Sequence, residues 1–284
     1  MPLAGGFINP KANKSNEKFY PLQLNFCKKC FLLQVNTSID PDILFKNYFY
    51  FSSSIKTLVN HFQTVATELV KELKYPKKSF ILEIGCNDGA FLDALRLKGF
   101  RALGVDPATN IVKPLIKKDT PIINDYFSQK LAKRVIKTYG QADAIISFHS
   151  MAHIEDMHDV IKGVKALLKK DGFLAFEVHY LGDLIREVQY DMMYHEHQFY
   201  YSLIALKNFF AMHDMEIFDA KPNPIRGGSM MYFVQKKSDG KRKISLNVNR
   251  TLKKEKQLAL HKIATYKKFS KYIQKTRNDL LVLI

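Results

Sequence analysis

The run Phe80-Ile-Leu-Glu-Ile-Gly-Cys-Asn-Asp-Gly89 constrains the fold of this chain more than any other segment. Its apolar residues, interrupted only by Glu83, suit a parallel strand covered on both faces. Gly85 and Gly89 then permit a sharp turn in which backbone passes close to a ligand. Phe91, Leu92 and Leu95 follow at helical spacing, so the turn opens a helix, and a small ligand belongs at such a corner. A dinucleotide site would read Gly-x-Gly-x-x-Gly, and a phosphate loop would place Gly-Lys-Ser/Thr after its glycines. Neither pattern is present. A second strand, Ala102-Leu-Gly-Val-Asp106, instead ends in an acid able to accept hydrogen bonds from ribose hydroxyls. Asp143-Ala-Ile-Ile-Ser147 and Gly172-Phe-Leu-Ala-Phe-Glu177 read as further strands.

With glycine corner, acid and strands in this order, the chain resembles the class I S-adenosylmethionine-dependent methyltransferases. That resemblance implies an α/β, Rossmann-like core with S-adenosylmethionine as cofactor. Its site would draw on Glu83, Gly85, Asn87 and Gly89 at the corner, Asp106 on the ribose, and Ser147 and His149 past the strand from Asp143.

The chain of 284 residues, 46% of them hydrophobic, can bury one full α/β core with residues left for accessory parts. Residues 1–54 are irregular and carry Cys27-x-x-Cys30 and the aromatic cluster Tyr48-Phe-Tyr50-Phe-Ser-Ser, as an accessory module would. From Ile55 to Leu73, apolar residues at Leu58, Phe62, Val65, Leu69 and Leu73 predict a helix leading into the corner strand. Alternating strands and helices then fill 55–220, an order that predicts a parallel sheet with helices on both faces. Residues 221–284 begin with the turn signal Pro222-Asn-Pro224, Gly227-Gly-Ser229 and the strand Met230 to Gln235, and read as the start of a C-terminal α/β domain. Leu258, Ile263, Phe269 and Ile273 sketch an amphipathic helix with a lysine face. The uncapped end Leu280-Leu-Val-Leu-Ile284 predicts that the chain stops inside a structural unit.

No long uncharged apolar run and no signal-peptide pattern appear, so a cytoplasmic protein without a membrane partner is expected. Three cysteines agree with a reducing compartment. The net charge of +17 is the feature that favours nucleic acid. Its lysines are spread along the chain, however, and a solvated lysine face explains them. Base-methylating enzymes that act on amino groups also use Asn/Asp-Pro-Pro-Tyr/Phe on a flipped base, and this sequence has no Pro-Pro.

Proton chemistry concentrates in Tyr194-His195-Glu196-His197 and in His149-x-x-x-His153. On a helix the latter pair would share a face, where packing or capping is the plain alternative. A zinc ion held by these histidines with Glu196 and His197 is another. Cys27 and Cys30 are half of a four-ligand zinc site, and no second pair accompanies them.

These motifs, with Pro2-Leu-Ala-Gly, Leu44-Phe-x-x-Tyr48-x-Tyr50-x-Ser-Ser, Ala152-His153-Ile and Gly227-Gly-Ser229, resemble the sugar C-methyltransferases that act on nucleotide-linked 4-keto-deoxysugars. The likeness covers nearly the whole chain. It implies His197 as general base beside Tyr194 and Glu196, with His153 and Tyr48 or Tyr50 lining the same pocket. The family binds zinc through two Cys-x-x-Cys pairs, so with Cys27 and Cys30 alone little zinc is expected. Arg226 stands where the family has histidine, and could meet a substrate phosphate. The alternatives in function are a remnant that binds S-adenosylmethionine without turnover and a methyltransferase acting on nucleic acid.

Overall fold

The computed structural model describes residues 1–5, 17–71, 76–116 and 121–283. A short hairpin comes first, β1 (Leu24–Phe26) antiparallel to β2 (Leu33–Val35), then the single turn α1 (Pro41–Phe45), whose Asp42 amide is capped by Asp40. The predicted helix follows as α2 (Lys56–Lys71), which buries Leu58, Phe62 and Leu69; Leu73 lies outside the described residues.

Strands and helices then alternate through β3 (Phe80–Ile84), α3 (Ala90–Leu97), β4 (Arg101–Val105), α4 (Thr109–Ile116), β5 (Ile122–Ile123), α5 (Gln129–Tyr139), β6 (Ala142–Phe148), α6 (Met157–Leu167) and β7 (Leu168–His179). After α7 (Leu181–Arg186), the chain adds β8 (Phe199–Tyr200), α8 (Leu203–Ala211), β9 (Met215–Asn223) and β10 (Ser229–Lys236), ending in α9 (Leu246–Gln257) and α10 (Ile263–Leu283).

Seven strands form one sheet in the order β5, β4, β3, β6, β7, β10, β9. The first five are mutually parallel, as the alternation predicts. The sheet as a whole is mixed, because β10 runs antiparallel to both β7 and β9. The reason is local: β9 and β10 are joined by a tight turn at Pro224 to Gly228, and so short a link can reverse a strand but cannot carry it back to the same end. The expected division at 220/221 therefore falls inside β9, and the sheet draws on residues beyond it. The single C-terminal helix is also corrected, since a break at Leu258 to Lys262 separates α9 from α10 and Leu258 closes the former.

Both faces of the sheet are covered. Leu82, Ile145, Leu174, Phe176 and Tyr232 pack with α5, α6 and α8 on one side, while Ile81, Phe148 and Ala175 meet Phe62, Phe91 and Leu92 of α2 and α3 on the other. Each such fully buried side chain contributes about 1.5–3 kcal/mol, so the carboxyl ends of β3, β4, β6 and β7 are rigidly placed. The small sheet completes the frame: β8 pairs with β2, tying the segment just before Phe199 to the N-terminal hairpin. No described helix is long and apolar enough to cross a membrane.

Candidate active site

The donor corner forms where β3 ends. Gly85 adopts a left-handed φ of +73°, and a Cβ there would lie 1.9 Å from Ser150 Oγ, so glycine is required. Asn87, also left-handed, donates its backbone N–H to Asp106 Oδ2 at 2.7 Å, and the Ala108 amide donates to Oδ1 at 2.8 Å. Each oxygen retains a lone pair, and burial pushes the carboxyl above the ordinary aspartate range. Asp106 faces a cavity of about 400 Å³ walled also by Ile84, Gly85, Asn87, Phe148 and His149. An acid for ribose hydroxyls, a glycine backbone edge and apolar walls together fit S-adenosylmethionine.

Three residues expected at this corner play other parts. Gly89, left-handed at φ +79°, starts α3 and does not line the cavity. The Ser147 hydroxyl is fully buried and donates to Ile84 O at 3.0 Å, so it ties β6 to β3 rather than meeting a ligand. Glu83 sits behind the cavity wall; burial, then the charges of Asp106 and Asp88, holds its carboxyl well above the usual range.

The aromatic cluster is a strap across this corner. Asn87 Oδ1 accepts the Ser52 amide and its Nδ2 donates to Tyr50 O, both at 2.9 Å. Asp88 accepts the Ser53 amide at 3.0 Å, and Asn110 exchanges two hydrogen bonds with the Tyr48 backbone. The strap thereby carries Tyr48 and Tyr50 into the cavity wall. Tyr48 donates to Glu196 Oε2 at 3.1 Å, and the Arg226 guanidinium lies over the Tyr50 ring at 4.9 Å while donating to its hydroxyl at 2.6 Å. Burial raises Glu196 and, more strongly, Tyr48.

Four imidazoles meet at the other end. His153 stacks on His197 with ring centroids 5.1 Å apart, His197 is 5.0 Å from His179, and His179 is 4.9 Å from His149. The Tyr194 ring closes on His197 at 4.2 Å. His149 and His153 line the cavity; His197, Tyr194 and Glu196 stand in the layer behind it. The motif Tyr194 to His197 lies between α7 and β8, ahead of α8. His149 and His153 do not share a helix face: His149 has φ +56° and the segment is a turn. Burial depresses all four imidazoles, His197 to about 4, so they are neutral at pH 7.

His197 Nδ1 is 2.8 Å from Met192 O. A carbonyl only accepts, so Nδ1 carries the hydrogen and Nε2 the lone pair. His195, its neighbour in the motif, turns the other way, with Nε2 donating to Pro21 O at 3.1 Å, and fastens the N-terminal segment.

Cys27 and Cys30 are free thiols in the β1–β2 hairpin turn, away from these histidines. Among the described residues no group of three His, Cys, Asp or Glu is placed to hold a metal ion.

Sequence reasoning missed Glu177, His179 and His61. Glu177 Oε1 accepts from His149 Nε2 at 3.0 Å, and Oε2 accepts from His61 Nε2 at 2.7 Å and Asn223 Nδ2 at 2.8 Å. Burial opposes its charge, but the bonds from His149 and His61 outweigh this and bring the carboxyl down to about 2. The available signal was Glu177-Val-His179, two polar groups closing a buried apolar strand.

Three family models match the chain. Residues 59–219 match a family described as "Methyltransferase domain", residues 1–45 one described as "Putative zinc binding domain", and residues 224–284 one described as "C-methyltransferase C-terminal domain". The C-methyltransferase NovU of Streptomyces niveus is 29% identical over 283 residues, covering 100% of this chain and 67% of that protein. The ubiquinone biosynthesis O-methyltransferase of Chromobacterium violaceum is 24% identical over 34% of this chain and 42% of its own length. A solved S-adenosylmethionine-dependent methyltransferase from Clostridium acetobutylicum aligns with 62% of this chain and 91% of its own, at 15% identity and a TM-score of 0.49. The chain belongs to the methyltransferase family, as a methyl-transferring enzyme whose core lies between a zinc-binding-type module and a C-methyltransferase C-terminal module.

Proposed function

We propose that this enzyme methylates a carbon atom of a nucleotide-linked keto-deoxysugar, with S-adenosylmethionine as donor and His197 as general base. When bound, the donor supplies an electrophilic methyl group on a positively charged sulfur. Asp106 and the Gly85 backbone hold it by ribose and main chain, and the strap of Tyr48 to Ser53 covers it and keeps water away. The observation that carries the reading is the Met192 carbonyl on His197 Nδ1, which fixes the tautomer with a lone pair on Nε2. That is the state needed to take a proton from carbon beside a ketone.

The developing enolate requires a donor. Tyr48 and Tyr50 carry hydroxyls at the cavity wall, and Arg226 is the sole lysine or arginine among the described residues lining it. Such donors stabilise charge as it forms on oxygen, and the guanidinium also suits the phosphate of a nucleotide-linked acceptor. Support for a sugar acceptor comes from the resemblance of the motifs, and for carbon as the methylated atom from the C-methyltransferase matches.

Replacing His197 by alanine should leave donor affinity nearly intact and lower methyl transfer by roughly 10²–10⁴-fold. Solvent deuterium exchange at the carbon beside the ketone should fall with it. Exchange that survives unaltered in the variant would remove His197 from this role.

A further inference from the structure

A base that removes a proton from carbon must also lose it, and His197 is poorly placed to do so. It is buried, its Nδ1 is committed to Met192 O, and burial disfavours its charged form. Its neighbours His153 and His179 have no carboxylate partner, and each keeps a buried Nε2 without any hydrogen-bond partner among the described residues. A buried polar atom left unpaired is costly and normally marks a place where a proton, water or ligand is exchanged. His149 differs. Its Nε2–H is held by Glu177 Oε1 at 3.0 Å, its Nδ1 is the unpartnered atom, and its ring stands 4.9 Å from that of His179.

We propose that Glu177 makes His149 the acceptor of the proton that leaves the site, reached from His197 through His179, with His61 as the residue that holds Glu177 in place. The inference rests on the reading of His197 as base. In the first step the carbon–hydrogen bond breaks, its electron pair stays on carbon, and an N–H bond forms at His197 Nε2. In the second, His197 gives up one proton and His149 gains one at Nδ1, with no change in oxidation state. Glu177 remains a carboxylate throughout and faces the resulting imidazolium, so opposite charges adjoin only at this end of the row. The remaining groups facing His149 do not supply that compensation: His61 from α2, His179 and His153 are imidazoles, and Arg226 from the β9–β10 turn is a cation.

The brace lies on the α2 side of the sheet. Glu177 and His61 line a separate cavity of about 260 Å³ against α2, and the His61 side chain is 14% exposed where Glu177 is fully buried. His61 thus braces Glu177 from the α2 side without a proton passing through the carboxylate, and the proton held on His149 is released through the cavity that His149 lines. It also spends one Glu177 oxygen, which with Asn223 leaves Oε1 for His149 alone. Glu177 and His61 are positioning residues, acting through His149.

The test has an arm that needs no substrate. In ¹⁵N-histidine NMR of the ligand-free protein, His149 should be the Nε2–H tautomer, and Glu177→Gln should lower its proton affinity by about tenfold or more. An unchanged His149 titration would overturn the proposal. The second arm uses a nucleoside-diphosphate-linked 4-keto-6-deoxyhexose. With proton exit impaired, the abstracted proton returns to carbon, so deuterium wash-in should fall about tenfold more than methyl transfer in Glu177→Gln and in His61→Gln. A merely structural role lowers both together, and equal losses would refute the relay. His61→Gln, at a partly exposed position, keeps the test decisive if Glu177→Gln does not fold. A wild-type enzyme that neither exchanges nor methylates the probe would refute the acceptor reading alone, and the imidazole titration would then decide on His149.

Discussion

Acid should remove the stability that the imidazole row contributes, because that row is buried uncharged. His197 titrates near 6.5 when exposed and near 4 in the fold, so between those values the unfolded chain binds more protons than the native one. The sign follows: the stability contributed by neutral His197 is fully present above pH 6.5 and is lost as pH falls toward 4. One unit is worth 1.36 kcal/mol, so by pH 5, 1.5 units below the unfolded value, about 2 kcal/mol is gone, and at the limit about 3 kcal/mol. His149, His153 and His179 are depressed for the same reason and add to the loss in the same direction. Against a typical total of about 5–15 kcal/mol this is large. The buried carboxyls of Glu83, Asp106, Glu196 and Glu255 are raised and act in the opposite direction, so the test is a comparison: in urea unfolding at pH 7.5, 6 and 5 in constant salt, wild type should lose about 2 kcal/mol more than His197→Gln between pH 7.5 and pH 5. The same pH dependence in wild type and His197→Gln would refute the picture of a neutral buried row.

At the donor corner, Asp106→Ala should weaken S-adenosylmethionine binding by about 1–3 kcal/mol in calorimetry, through loss of ribose hydrogen bonds and of the Asn87 and Ala108 amide acceptor. Gly85→Ala should lose both folding stability and donor affinity, since its Cβ meets Ser150 Oγ and its φ is left-handed; thermal melts matching wild type would contradict the geometry. Metal analysis of this chain should find zinc well below one equivalent, because Cys27 and Cys30 supply two thiolates where a closed site needs four ligands.

The glycine corner, the strands β3, β4, β6 and β7 and the acid closing β4 were legible because each depends on residues close in sequence, whereas β1, β2 and β5 were not read. The apolar period of α2 was legible for the same reason. The antiparallel β10 was visible as a strand, but its place between β7 and β9 depends on pairing across the sheet. The candidate site divided along the same line. Tyr194 to His197 concentrates proton-moving groups, yet nothing local says that His195 turns to Pro21 and His197 to Met192. Glu177 was hidden most completely. Its partners His61, His149 and Asn223 come from α2, the turn after β6 and the end of β9, and no periodicity links them. Ser147 failed for the opposite reason: its position at a strand end looked suited to a ligand, but side chains alternate across a strand and its hydroxyl found the backbone of β3.

That same alternation explains how the N-terminal module enters the site. Tyr48, Tyr50 and Ser52 turn inward while Phe49 and Phe51 remain exposed, the two-residue period of an extended chain. The strap has few apolar anchors of its own, so its register rests on Asn87, Asp88 and Asn110, all supplied by the methyltransferase core beside the donor. A slip of one residue would exchange the tyrosines for phenylalanines at the cavity wall, removing the hydroxyls that meet Glu196 and Arg226. Asn87 is the residue in which these demands converge. Its amide braces Asp106, its side chain sets the register of the strap, and that register places the Tyr48 and Tyr50 hydroxyls at the cavity wall. Asp106 and the tyrosine hydroxyls at the cavity wall are therefore held by one set of hydrogen bonds.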